Sequence, residues 1–355
     1  EIIPAAMTWG GSDRLNSSDL FGRFGFGLPS ACNCFGDDYS VISKQEDGDF
    51  HIVSFSVQKA KNGDYTDKNG TLSMPSAQKY KPSAKVKSLI EKHYGDFVSG
   101  TIIIIKTDAN RLSHRSISGM KDHLIRYLGV TFYKFLEERK LIVNDVEVQA
   151  IDPTFLTPSA KHYDIGGNKA ESIGTQSYLL ENPRTGKKGK LTVTLSYLGP
   201  KFTKVGLPAD AGSKKTNDRF PIMSDWNGFM IARNGRMIDV LTNITKNDWQ
   251  NKPKGIKTVF QNNDRYYKVL LDFDAELDDM FSINTIKQTA KPSSEVWTAL
   301  YEKGYLFAQL SVLSAKFNKE GQALRVAEEN AAFAGTGGET PAVTAAKEAS
   351  SFANP

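Results

Sequence analysis

The sequence predicts an α+β protein of two domains, and three observations carry that prediction. At 355 residues the chain exceeds the roughly 100–200 residues of one ordinary domain. Its apolar residues change period along the chain. They fall at helical spacing in Ile117, Met120, Leu124, Leu128, Phe132, Phe135 and Leu136, and alternate in Leu191, Val193, Leu195 and Tyr197. Two hairpin signals, Asn144-Asp145 and Asn234-Gly235, lie in the later, strand-rich region.

The composition narrows the class further. Hydrophobic residues at 39% and charged residues at 24% describe a globular chain with a sizeable core. No run approaches the ~18 apolar residues of a membrane span, and no leader is visible. A cytoplasmic protein is expected, and the sequons at Asn16, Asn69 and Asn243 then carry no weight. The two cysteines, Cys32 and Cys34, stand two apart with no second pair, which excludes a zinc site. None of the five histidines has metal-ligand spacing. A net charge of +5 permits a polyanionic partner without requiring one. The basic cluster Arg184, Lys187, Lys188 and Lys190 lies in a glycine-containing turn and reads as a solvated hairpin.

The elements follow in order. Residues 1–9 read as the end of a helix, broken by Gly10-Gly11-Ser12. A polar loop leads to the run Gly22 to Gly27, and a small-residue helix follows over 28–35. Strands are expected at 39–44 and 51–58, loops over 60–82, and a helix over 83–93. A buried strand is expected at 100–106, because Ile102 to Ile105 form the longest aliphatic run. The helix from 116 to 139 is expected to bridge two domains. Hairpins around 144–145 and 234–235, strands at 190–197 and 266–273, and one long helix over 294–330 complete the second region. Domains of 1–114 and 115–330 result, with an Ala/Gly-rich linker or tail over 331–355. Glu1 in place of a methionine, inside what reads as a helix, predicts that both ends are cut.

Three clusters carry chemistry. Gly22, Gly25 and Gly27 form a GxxGxG run ahead of a helix, with Arg23, Phe24 and Phe26 between them. Glycine lets backbone N–H groups approach an anion, and the helix dipole behind adds about half a positive charge. The run follows no strand and lacks the Gly-Lys-Ser/Thr ending of a P-loop. Arg23 either reaches phosphate or lies on the surface, and Ser12 either caps a helix or touches phosphate. Trp9 stacks on a base or packs into the core. Gly100-Thr101 heads a strand, where a threonine hydroxyl serves an adenine-anchoring group, a water, or merely the strand. Lys287, in the segment 282–288 behind a run of acids, has the compact charge suited to a γ-phosphate.

In this order the clusters resemble a known family. Met7 to Ser12, the Gly22–Gly27 run and Leu28-Pro29-Ser30-Ala31 resemble the ATP lid and second glycine box of GHKL ATPases: gyrase, heat-shock chaperones, MutL and MORC proteins. Gly100-Thr101 is similar to the family's threonine box. Ile142 to Asp145 with Ile151-Asp152-Pro153 resembles the start of its transducer domain. Ile231 to Ile238 resembles a strand pair of that domain. Phe281 to Gln288 resembles the loop that carries a catalytic lysine, which points to Lys287. The resemblance spans about residues 1–310.

It implies the remnant of a GHKL (Bergerat) ATP-binding α/β sandwich followed by a βαβ transducer domain of ribosomal-protein-like fold. It implies binding and hydrolysis of ATP with Mg²⁺, Lys287 as catalytic residue, and Ser12, Gly22, Arg23, Phe24, Gly25, Phe26, Gly27, Gly100 and Thr101 at the nucleotide. It further implies an ATP-dependent homodimer that clamps or remodels a DNA or protein client. One departure stands out. The family's DxGxG adenine box occurs nowhere in the chain, and neither does its helix with general-base Glu and magnesium-binding Asn. The adenine and Mg²⁺ half of the site is therefore expected to be missing, and this chain alone to be inactive. The alternative is an inactive GHKL-fold scaffold that acts through protein contacts.

Overall fold

The computed structural model describes residues 2–11, 25–114, 116–204, 217–283 and 289–335. The protein is α+β and divides into two compact units, Glu1–Met120 and Lys121–Pro355. The division falls inside one helix.

The first unit is built on four strands in the order β3-β2-β1-β4. They are β1 (Asp38–Lys44), β2 (His51–Ser56), β3 (Gln78–Lys79) and β4 (Gly100–Lys106). Antiparallel register puts Tyr39 beside Phe55 and Ile105, and Val41 beside Val53 and Ile103. That face is covered by α1 (Ile2–Met7) and α2 (Gly27–Phe35), through Met7 and Cys32. The opposite face carries Ile42, Ile52 and Ile102 and receives Val86 and Ile90 of α4 (Ala84–Tyr94). Ser83 caps α4 by accepting from the Val86 N–H. Strand β2 stops at Ser56, where the short helix α3 (Val57–Lys61) begins, two residues before the expected strand end.

The aliphatic run of β4 is not buried as its composition suggested. It pairs only with β1, so it forms a sheet edge, and Ile103 and Ile104 are 46% and 41% exposed. Only Ile102 and Ile105 reach the two cores.

The second unit begins in α5 (Ile117–Thr131). This helix ends eight residues short of the expected 139. The reason is tertiary. The Gly129 carbonyl accepts the N–H of Ile151, and a Cβ at Gly129 would come within 2.7 Å of the Gln149 carbonyl oxygen. Docking of 149–151 replaces the next helical turn, and residues 132–138 form turns. The hairpin β5 (Ile142–Val143) and β6 (Val146–Glu147) follows, with Asn144 and Asp145 at φ +46° and +66°. Two successive positive φ values make a primed turn, which matches strand twist.

A five-stranded mixed sheet forms the body, in the order β10-β9-β11-β8-β7. Its strands are β7 (Glu171–Glu181), β8 (Lys188–Tyr197), β9 (Phe229–Arg233), β10 (Arg236–Leu241) and β11 (Tyr267–Phe273). All pairs are antiparallel except β9 with β11. Leu191, Val193, Leu195, Phe229, Ile231, Val269 and Leu271 line one face. They pack on α7 (Ser294–Glu302) and α8 (Leu306–Gly335) through Trp297, Leu300, Phe307 and Leu310. Met230, Ala232 and Leu270 line the other face and meet Val130, Tyr133, Phe155 and Met223, the last from α6 (Arg219–Asp225). The single helix expected over 294–330 is broken by Gly304 at φ +72°, a left-handed residue that ends α7 and redirects the chain. Helix α8 runs to Gly335, and the rest of the Ala/Gly-rich tail lies outside the described residues. No helix among the described residues is long and apolar enough to cross a membrane.

One buried cation sets a pH dependence. Lys268 of β11 is 1% exposed and donates from Nζ to the carbonyls of Met223 (2.9 Å) and Trp226 (3.0 Å), at the end of α6. Burial pushes its pKa down from 10.5 to about 7, with Arg265 adding and Asp225 opposing. Between these values the unfolded chain holds the proton more firmly than the folded one. Stability is therefore expected to fall as pH drops from about 10.5 through about 7, at up to about 1.4 kcal/mol per pH unit. Urea midpoints measured across that window will show the slope. A Lys268→Met variant with the same slope would refute the assignment.

Candidate functional site

The sequence placed its candidate site on three segments, and the described residues hold parts of each. Gly25, Phe26 and Gly27 are described, whereas Ser12, Gly22, Arg23 and Phe24 lie outside the described residues. Gly25 has φ +67°, and a Cβ there would lie 2.6 Å from the Gly11 carbonyl oxygen and 2.9 Å from the Gly11 nitrogen. Gly11 and Gly25 thus meet backbone to backbone, and only glycine permits both the approach and the left-handed turn. Gly10, also left-handed, lies against the Phe26 ring. Immediately behind stands the N-terminus of α2. Phe26 occupies its N-cap position and no side chain hydrogen-bonds there. Among the described residues, a Cβ at Gly27 would meet nothing within 4 Å. The other end of α2 is fixed firmly. A Cβ at Gly36 would strike the Lys106 carbonyl. Arg111 donates to the Asn33 carbonyl (3.0 Å) and to Asp37 (2.7 Å).

Gly100 and Thr101 open β4 on the same sheet. Gly100 has φ +150°, and a Cβ would lie 2.8 Å from the Phe97 ring. Thr101 faces Ser43 across β1, their hydroxyls 3.2 Å apart, and Ser43 donates to the Gly100 carbonyl (3.1 Å). Beside Ser43 a cavity of about 290 Å³ is lined by Ile3, Gln45, Asp49, His51 and Ala77 among others. Thr101 and Ser43 occupy the sheet face that α1 and α2 cover, because they continue the alternation of Ile103, Ile105 and of Tyr39, Val41. One face of the first unit thus carries the glycine turn, the uncapped helix end, the hydroxyl pair and the cavity. Trp9 leans edge-on against Phe55, ring centroids 6.2 Å apart, and stays 43% exposed.

Lys287 lies outside the described residues, but the residues flanking its segment are fixed within the second unit. The Phe281 ring stacks on Phe273 at 3.8 Å and 6°. The Lys291 N–H donates to the Phe281 carbonyl (2.7 Å), and the Ala290 N–H donates to Asp239 (3.0 Å). Just upstream, Asp278 pairs with Arg233 at the end of β9, Nε to Oδ1 at 2.5 Å and Nη2 to Oδ2 at 2.9 Å. Both side chains are below 10% exposure, so this bidentate pair fixes the turn that launches the segment. Asp272 does the same for the Asn234-Gly235 turn, accepting from the Gly235 N–H (2.9 Å) and from Lys134 (2.8 Å).

Among the described residues no group of three or more His, Cys, Asp or Glu side chains is placed to hold a metal ion. Sequence reasoning missed Ser43, Arg233 and Asp278 as members of these arrangements. The register of β1 against β4 could have found Ser43, while nothing local marks the long-range Arg233–Asp278 pair.

No protein-family model matches the chain, and no curated protein matches it.

Proposed function

We propose that the chain is the lid-bearing part of a GHKL-type ATPase, whose ATP cycle drives a conformational change or clamps a DNA or protein partner. In this reading the first unit is part of the Bergerat ATP-binding domain and the second is the transducer. One observation carries it above the rest. Gly11 meets Gly25 backbone to backbone, directly ahead of an uncapped helix N-terminus. That arrangement presents N–H groups and a positive dipole end to an anion.

The chain's own residues then take defined roles. The backbone amides of Gly25, Phe26 and Gly27 donate to triphosphate oxygens, with Ser12, Gly22, Arg23 and Phe24 completing the lid. The adenine lies toward the cavity beside the Ser43–Thr101 pair, on the same sheet face. Lys287 contacts the γ-phosphate and offsets charge in the transition state. The bound Arg233–Asp278 pair steadies the segment that carries it. Magnesium and the attacking water are assigned no ligands among these residues. The working form is an ATP-dependent homodimer in the cytoplasm.

Calorimetric titration with a non-hydrolysable ATP analogue tests the reading, on this chain and on the full-length gene product. Binding is expected in the full-length protein, with Gly25→Ala weakening it at least about tenfold, because the added Cβ strikes the Gly11 carbonyl and displaces the turn that presents the N–H groups. Lys287→Ala is expected to abolish hydrolysis while largely sparing binding. Failure of the full-length protein to bind would remove the ATPase reading and favour a GHKL-fold scaffold acting by protein contact.

A further inference from the structure

A second cavity, of about 340 Å³, lies wholly within the second unit and plays no part in the reading above. Its size is at the small end of the roughly 300–1,000 Å³ of ligand pockets. It opens where β10 ends. Leu241 supplies accessible apolar wall, backed by the buried Ile244, Pro292 and Trp297 of α7, and Asn243, Thr245 and Asn247 supply polar wall. Trp297 is fully buried, and among the described residues its indole N–H has no hydrogen-bond partner.

Two opposite charges line the same cavity, Asp248 and Lys291. Asp248 is held in place by its own turn. It accepts from the Thr245 N–H (2.8 Å) and from the Thr245 hydroxyl (2.7 Å), both at Oδ2. Among the described residues Oδ1 accepts no hydrogen bond. Lys291 is exposed, and its backbone is pinned by the bond to Phe281. The two charges sense each other. Burial acts to raise the Asp248 pKa, but the Thr245 hydrogen bonds and the charges of Lys291 and Lys252 hold it below its ordinary value.

A cavity with one fixed carboxylate, one ammonium and apolar walls is complementary to a small zwitterion with an apolar body. We propose that this cavity binds a free apolar α-amino acid, its ammonium on Asp248, its carboxylate on Lys291 and its side chain against Leu241, in front of the buried Trp297. A peptide terminus carries only one of the two charges at a single residue and satisfies only half of the site. A cationic or anionic ligand leaves one wall charge unpaired and repelled by its neighbour.

Heteronuclear NMR on the whole chain tests this with L-leucine as the probe. Saturable shifts are expected at the Trp297 indole and at residues 241–248 and 291–297. N-acetyl-leucine lacks the ammonium and leucinamide lacks the carboxylate. Each is expected to bind about tenfold more weakly, the worth of one charge-assisted hydrogen bond. Lys291→Gln, at an exposed position, is expected to weaken leucine about tenfold and not to weaken leucinamide, which loses a repelling charge. The proposal is overturned if leucine gives no saturable shift at these residues. It is equally overturned if the two blocked analogues bind as well as leucine does. Neither outcome bears on ATP, so this proposal and the ATPase reading stand or fall separately.

Discussion

Replacing Asp152 by alanine is expected to lower the unfolding free energy of the second unit by about 3–5 kcal/mol. Asp152 is 2% exposed and its carboxylate accepts five hydrogen bonds. Oδ1 takes the Thr154 N–H (2.8 Å) and hydroxyl (2.6 Å). Oδ2 takes the N–H groups of Leu156 (3.0 Å) and Thr157 (2.9 Å) and the Thr157 hydroxyl (2.8 Å). No strand or helix contains this segment, so the carboxylate does for its backbone what a sheet neighbour does elsewhere. Removing it strands three backbone donors near Phe155, which packs edge-on against Phe202 at 5.1 Å. Hydrogen bonds to an ionised group contribute about 1.5–3 kcal/mol each, and part of the loss is recovered by water entry. Asp152→Asn keeps the shape but converts one acceptor into a donor, so an intermediate loss is expected. Urea unfolding followed by the near-ultraviolet signal measures both. A change in the Asp152→Ala free energy below about 0.5 kcal/mol, the range of an ordinary surface substitution, would show that the carboxylate is dispensable.

The second large effect is expected at Arg219. This guanidinium is fully buried at the start of α6, and among the described residues no carboxylate binds it directly. It donates instead to four backbone carbonyls, those of His162 (2.9 Å), Tyr163 (3.0 Å), Asn168 (2.6 Å) and Phe202 (3.3 Å), and to the Asn168 side chain (3.1 Å). Its plane stacks on the Phe202 ring at 3.8 Å. Burial pushes its pKa down to about 10, with Asp164 opposing. One side chain thus joins three separate stretches of chain that share no regular secondary structure. Arg219→Ala is expected to cost about 3–5 kcal/mol, from the unpaired carbonyls and the cavity together. Arg219→Lys is expected to recover little, because a single ammonium cannot reach acceptors arranged around a planar fork. Hydrogen exchange will localise the damage. Residues 162–168 should lose protection in Arg219→Ala well before β8 and β11 do. Uniform loss across the second unit would argue against this local role.

Both residues show where sequence reading ends. The turns at Asn144-Asp145 and Asn234-Gly235 were legible because positive φ is a property of the residues themselves. The strand at β8 was legible because one of its faces is fully buried and alternates cleanly. Asp152 and Arg219 have no such signature, since their partners lie along irregular chain and, for Arg219, some fifty residues away. Strand β7 escaped notice because it is an edge strand whose exposed Thr175, Gln176 and Ser177 dilute the pattern. Helix α6 escaped because it is seven residues long and contains a proline. The four isoleucines of β4 misled for a related reason: composition reports hydrophobicity, whereas exposure depends on whether a neighbouring strand exists. Gly304 is a usable stop signal inside the single helix expected over 294–330. At the candidate site, the glycines announced close backbone approach, but only the fold shows that Gly25 approaches Gly11.

The contact between Gly11 and Gly25 joins two points of the chain without using any side chain. It fixes where the intervening residues leave and rejoin the fold, but not how many there are. A single methyl group at residue 25 would have to push that meeting point apart, since its Cβ would lie 2.6 Å from the Gly11 carbonyl oxygen. Variation in natural or engineered forms of this protein should accordingly stop at both glycines.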